Sequence, residues 1–218
     1  MSDVALCLPE FDSNLKLLPE KAVFIEETKT LLIADPHFGK SATFRKGGIP
    51  IPATLLHNDL KRLSQLLERT SAQNLMVLGD FFHSELNAEW DAFLTWKSQY
   101  TELNLKVIPG NHDRAMLKLL EAENLLTERV LQHRALHLCH EPPKDLSVPT
   151  ICGHIHPSLT LKGIARQKVK LSAFVLIENT LILPAFGSFT GAEDLSKKAY
   201  RMAWVTHADA IWKIIGPE

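Results

Sequence analysis

Five short apolar runs in this 218-residue chain end in the same manner, each delivering Asp, Asn or His at its carboxyl end. Residues 31–34 (LLIA) run into Asp35-Pro36-His37, and 75–79 (LMVLG) into Asp80. Residues 106–110 (KVIPG) run into Asn111-His112-Asp113, 135–139 (ALHLC) into His140, and 150–153 (TICG) into His154-Ile155-His156. Runs of this length and apolarity read as buried strands. In α/β sheets ligand sites gather at the carboxyl edge, where loops need not continue the ladder and polar side chains can converge.

The remaining pattern fills in a fold around those strands. Residues 22–26 and 31–34 read as a hairpin around Glu27-Thr28-Lys29. Residues 53–69 place Leu55, Leu56, Leu60, Leu63, Leu66 and Leu67 on one helical face, and 88–100 carry Trp90, Phe93 and Leu94 at helical spacing. Residues 114–123 predict a short helix. Beyond residue 130 the segments RALHLC, PTICG, FVLIEN, TLILPAF, MAWVTH and AIWKII are strand-like, with turns at Glu178-Asn179-Thr180 and His207-Ala208-Asp209. An α/β half followed by a mostly β half predicts an α/β (α+β) fold. Two mixed β-sheets pack face to face with helices outside, as one domain over residues 1–218.

Composition narrows the function classes. Hydrophobic residues make up 45% and charged residues 22%, enough for a full core and too little charge for a disordered chain. The net charge of -1 excludes a globally basic surface, so any grip on phosphates must be local. No apolar run is long enough to cross a bilayer, and the first residues lack the basic and apolar pattern of a signal peptide. Three cysteines, Cys7, Cys139 and Cys152, argue against a disulfide framework and for a reducing, cytoplasmic location.

The strand-end residues are the types a pair of metal ions needs. Asp gives a hard anionic oxygen that can bridge two cations, neutral imidazole suits Mn²⁺, Fe²⁺ and Zn²⁺, and the Asn oxygen binds without adding charge. Taken singly, Asp-x-His and Gly-Asp are weak signals, because both are common in turns. Gly153-His154-Ile155-His156 is stronger, since alternate residues on an extended strand place both imidazoles on one face. The order and strand context of all five carry the reading.

With these residues in hand, the chain resembles the calcineurin-like metallophosphoesterase superfamily. That superfamily shows D-x-H, G-D, G-N-H-[DE], a lone H and G-H-x-H, all present here between residues 35 and 156. The resemblance implies a four-layer αββα sandwich. It implies one metal held by Asp35, His37 and His156, a second held by Asn111, His140 and His154, and Asp80 bridging both. His112 is then the non-ligand histidine that assists the leaving oxygen. Many members carry a second acid after G-D, whereas this chain has Gly79-Asp80-Phe81-Phe82-His83. That stretch is similar to the bacterial ligase-associated DNA-damage-response metallophosphoesterase, or endonuclease. So are residues 34–40, 44–50, 110–114 and 183–191, except that Pro36 stands where those proteins usually have Leu. That likeness implies two divalent metals with Mn²⁺ favoured, a DNA or other phosphodiester substrate, and a DNA ligase and a helicase-like protein as partners.

Lys40, Arg45, Lys46, His83 and Arg114 flank the ligand motifs and are candidates for gripping substrate phosphates, although basic loops are often only solvated surface. Asp113 is expected to orient its loop. Cys139, Cys152, Trp90, Phe93, Trp204 and Trp212 are expected to be packing residues, and His57 and His207 surface residues. The expected activity is metal-assisted phosphodiester hydrolysis. A phosphomonoesterase or small-nucleotide hydrolase is the alternative. A non-catalytic scaffold ranks last, because it would be expected to lose ligands that this chain keeps.

Overall fold

The computed structural model describes residues 3–48, 50, 52, 54–82, 88–163 and 167–215. The first sheet holds β1 (Val4–Leu8), β2 (Ser13–Leu18), β3 (Ala22–Ile25), β4 (Thr30–Ala34), β5 (Asn74–Leu78) and β6 (Asn104–Ile108) in chain order. Its first four strands are antiparallel, while β4, β5 and β6 are parallel and so align their carboxyl ends. The second sheet contains β7 (Val130–His133), β8 (Leu136–Cys139), β9 (Thr150–Cys152), β10 (Pro157–Lys162) and β11 (Lys168–Ile177). It is completed by β12 (Thr180–Ile182), β13 (Glu193–Asp194), β14 (Met202–His207) and β15 (Ala210–Ile215). Within it β8, β9 and β12 run parallel, which brings three more carboxyl ends to one edge. The helices are α1 (Lys40–Lys46), α2 (Leu55–Thr70), α3 (Ala88–Lys97) and α4 (Leu117–Ala122).

Side-chain alternation along each strand builds two cores. On β4, Leu31 and Ile33 face the helices, where they meet Leu63, Leu66, Phe93 and Leu120. Leu32 and Ala34 face the other way and join Leu138, Ile151, Phe174, Leu181 and Trp204 of the second sheet. A strand buried on both faces has no polar side to show, which is why 31–34 reads as a continuous apolar run. Burying each such Leu or Ile contributes roughly 1.5–3 kcal/mol.

The result is the expected pair of mixed sheets packed face to face. The helices are concentrated on the outer face of the first sheet, and among the described residues no helix follows Ala122. The second sheet covers its own outer face with Leu159, Ala173, Val175, Leu195 and Val205. The sequence pattern missed β1, β2, β7, β10, β13 and α1. The helix expected over 114–123 begins instead as a tight 3-10 turn, His112–Ala115, before α4. Trp212, expected to be packed, is 49% exposed on the terminal strand, whereas Trp204 is buried. No helix of the described residues is long and apolar enough to cross a membrane.

Candidate metal centre

The strands end where the chemistry begins. Asp35, His37, Asp80, His154 and His156 all lie just past a strand end in the left-handed backbone region, with φ between 46° and 69°. This conformation costs an L-residue roughly 1–2 kcal/mol. It persists where surrounding contacts over-determine it, and Asp and His tolerate it better than most residues. Here the loops are laced together. Asp35 N–H donates to Gly79 O at 3.2 Å, His37 N–H to Asp80 O at 3.0 Å, and Gly153 N–H to His140 O at 3.0 Å. Glycine at 153 is needed for close approach, because a Cβ there would overlap the Asp35 carboxylate.

The donors form two adjoining groups. In the first, Asp35, His37, Asp80 and His156 each present a ligand atom, all within 4.8 Å of one another. His156 Nε2 lies 3.3 Å from Asp35 Oδ1 and 3.4 Å from His37 Nε2. His156 Nδ1 lies 3.1 Å from the Gly191 carbonyl, which can only accept. The proton therefore sits on Nδ1 and the Nε2 lone pair faces the cluster, as a metal-binding histidine requires. In the second group, His140 Nε2 lies 3.1 Å from His154 Nδ1 and 3.5 Å from Asp80 Oδ1. The His140 ring is held from behind by Leu78 O, 3.1 Å from Nδ1. Asn111 sits at the rim and donates its amide to Glu141 at 2.6 Å, which leaves its carbonyl oxygen as the acceptor atom.

Asp80 belongs to both groups. Its Oδ2 is 3.6 Å from His37 Nε2, while Oδ1 is turned to His140. His112 stands beside it, with Nε2 at 3.9 Å from Oδ2 and its side chain half exposed. Asp113 is fully buried and accepts backbone N–H groups from Gly110 at 2.8 Å and Phe82 at 3.1 Å. It fixes the loop that carries Asn111 and His112, as expected. Burial raises its pKa despite those bonds.

The electrostatics call for a cation. Asp35 and Asp80 are 0% and 3% exposed, and among the described residues no Lys or Arg pairs with either. Asp35 Oδ2 accepts the His154 backbone N–H, but Oδ1 takes no hydrogen bond of good geometry. Buried carboxylates without a counter-charge are costly unless they coordinate metal. His37 is pushed down to about 3, mainly by burial, against the pull of Asp80. It is neutral at physiological pH, the form that binds metal. Burial also works to lower His156, but the Asp35 carboxylate beside it leaves its pKa raised.

The remaining candidates are placed unevenly. Lys40 opens α1 close enough for its charge to disfavour protonation of His37. Arg45 is held by Glu89 at 2.8 Å and by the Pro52 carbonyl at 3.3 Å. Arg114 is exposed on the turn after His112. The Lys46 side chain and His83 lie outside the described residues. Sequence reasoning missed Glu141, which follows His140 directly. It also gave no role to Asp59 and Arg62, which reach from α2 to the loop over residues 184–191. Asp59 accepts the Ser188 hydroxyl at 2.5 Å, and Arg62 donates to Phe186 O and stacks 4.1 Å over the Phe186 ring.

Buried carboxylates and imidazoles at the shared edge of two parallel strand sets define a metal-dependent phosphoester hydrolase. Residues 28–172 match the calcineurin-like phosphoesterase family, and the chain belongs to it. Among solved structures it is similar to the Pseudomonas putida nuclease MPE, at 26% identity and a TM-score of 0.83, over 98% of this chain and 100% of that one. It also aligns with Yfce, a phosphoesterase from E. coli, at 14% identity and a TM-score of 0.45, over 86% and 99% of the two chains. Comparison with curated proteins finds no match.

Proposed function

We propose that this chain is a dinuclear phosphodiesterase that cleaves DNA strands. The observation that carries the reading is the position of Asp80, one oxygen toward His37 and the other toward His140, in a chain whose full length aligns with a nuclease. Asp35, His37 and His156 hold one divalent cation, Asn111, His140 and His154 the other, and Asp80 both; Mn²⁺ is the favoured metal, with Fe²⁺ or Zn²⁺ as alternatives. When bound, such a pair neutralises phosphate charge and lowers the pKa of water.

The chain's own residues do the rest. His112 protonates the leaving oxygen through Nε2, which stands 3.9 Å from Asp80 Oδ2. Asp113 keeps His112 in register by holding the loop. Lys40 and Arg114 meet phosphate oxygens at the rim. Arg45, tied to Glu89, shapes α1 and reaches phosphate only if that pair opens. The chain acts as one domain over 1–218, in a reducing cytoplasm that suits its free cysteines, in DNA repair alongside a ligase and a helicase-like protein.

A substrate panel with Mn²⁺ tests the proposal. It comprises an aryl phosphodiester, an aryl monoester, a 2′,3′-cyclic nucleotide, and single- and double-stranded DNA. The expected result is cleavage of the aryl diester and of single-stranded DNA, with monoesters turned over poorly. Efficient monoester hydrolysis with every DNA form left intact overturns the nuclease reading.

A further inference from the structure

A cavity of about 590 Å³ lies between the β2–β3 turn, α2, β11 and the β14–β15 turn. Four cationic side chains line it, from three different elements: Lys21 from the β2–β3 turn, Lys61 and Arg62 from α2, and Lys170 from β11. Glu20 and Asp209 line the cavity beside them and Asp59 pairs with Arg62 at 3.0 Å, while Glu20 is itself engaged by Arg69 at 2.8 Å. Among the described residues Lys21, Lys61 and Lys170 pair with no carboxylate, so the lining is net positive in a protein whose net charge is -1.

Lys21 is the informative member. It stands in the left-handed region at φ 68°, where a side chain is strained. Burial and the neighbouring Arg62 lower its pKa to about 8, against the weaker pull of Asp59. Among the described residues no carboxylate lies within ion-pairing distance of it. A strained, half-buried, unneutralised lysine is costly to the fold unless an anion meets it.

Two of the lining side chains, Arg62 and Lys170, also hold the segment over residues 184–192, which borders the metal centre. Gly191 O accepts from His156, while the next carbonyl, Ala192 O, accepts from Lys170. Gly187 N–H donates to Asp35 O at 3.4 Å, while Arg62 grips Phe186 O on the same stretch. We propose that the Lys21, Lys61, Arg62 and Lys170 cavity is a second phosphate subsite, which takes a nucleotide phosphate of the strand whose scissile group lies at the metal centre. This rests on the DNA-strand reading above. A nucleotide fits the volume. It also answers where the local cations are in a chain without a basic surface.

The test is binding with metal chelated, so that cleavage plays no part. A fluorescent single-stranded oligonucleotide is titrated into the native protein and into Lys21→Gln/Lys61→Gln, with Lys29→Gln, at the opposite end of β4 from Asp35, as the control. Arg62 and Lys170 are spared because both brace the loop. The double variant should bind at least fivefold more weakly, and its salt slope should fall by about 0.7, the contribution of one phosphate contact on a single strand. A 5′-mononucleotide competitor separates the two sources of phosphate. If it is held by the native protein and lost by the variant, the subsite takes free nucleotide; if only the oligonucleotide responds, it tracks the strand. Unchanged binding of both ligands in a folded double variant overturns the subsite. Turnover of the small aryl diester, which is too short to reach the cavity, should be unchanged in the variant. Its absence in the native protein would sink the phosphodiesterase reading instead.

Discussion

The Asp80 carboxylate accepts the backbone N–H of His112 at 2.9 Å, so the residue shared by both donor groups also anchors the imidazole beside it. That bond comes from the main chain and survives removal of the His112 side chain. His112→Ala should keep both metal ions and lower kcat by about 10²–10⁴-fold through the loss of proton transfer. Metal analysis alongside turnover of an aryl diester checks this, and an emptied metal site would show that His112 is a ligand after all.

Asp80→Asn attacks the opposite role. The amide keeps the shape but removes the charge, and presents an N–H where an oxygen faced either His37 or His140. On the proposed assignment both ions weaken together. Metal content should fall from two per chain to below one. Activity should drop further than in Asn111→Ala, which touches a single rim ligand. Equal losses in the two variants would argue against a shared ligand.

Much of this site is readable from sequence because its parts are local. A buried strand is an apolar run, and the residue after it is the one delivered to the sheet edge, so the seven strand-end donors stand out without knowledge of strand order. What stays hidden depends on distant pairing. Lys21, Lys61, Arg62 and Lys170 lie up to 149 positions apart, and nothing in their spacing brings them to one cavity. Gly191 serves His156 through a carbonyl, which every residue has. In β2 Asn14 and Lys16 interrupt the apolar run, whereas β1 is apolar throughout but leads into Pro9 and delivers no Asp, Asn or His at its end. Trp212 misled for the opposite reason, since alternation shows that a residue has a face but not that anything covers it.

The thiols should separate cleanly in reactivity. Cys139 is pushed up to about 11, mainly by burial with Glu141 adding to it, and complete burial raises Cys152 well above the ordinary thiol range. The thiolate is the reactive form, so both should be inert in the folded protein. Cys7 is exposed. Titration with a thiol reagent near pH 8 should modify one thiol per native chain and three after unfolding. Rapid reaction of a second thiol would mean that the sheet around β8 and β9 opens in solution.

Gly79 shows how little space the centre leaves. It adopts φ 77°, and a Cβ built on it would overlap the ring of His140, which is 4% exposed and backed by Leu78 O. Gly79→Ala therefore carries two penalties: backbone strain of about 1 kcal/mol, and displacement of a ligand ring that has nowhere to go. Gly48 isolates the first penalty, because it has φ 81° with nothing within 4 Å of its Cβ position. Gly48→Ala should lower Tm slightly and keep both metals and full activity. Gly79→Ala should lower Tm further, even with chelator present to remove the stabilisation that bound metal supplies. It should lose the ion held by Asn111, His140 and His154 while retaining the one held by Asp35, His37 and His156. Calorimetry and metal analysis on the two variants side by side read the difference. If Gly79→Ala behaves like Gly48→Ala in both measurements, the His140 ring is free to move and the second site is not built as tightly as these contacts require.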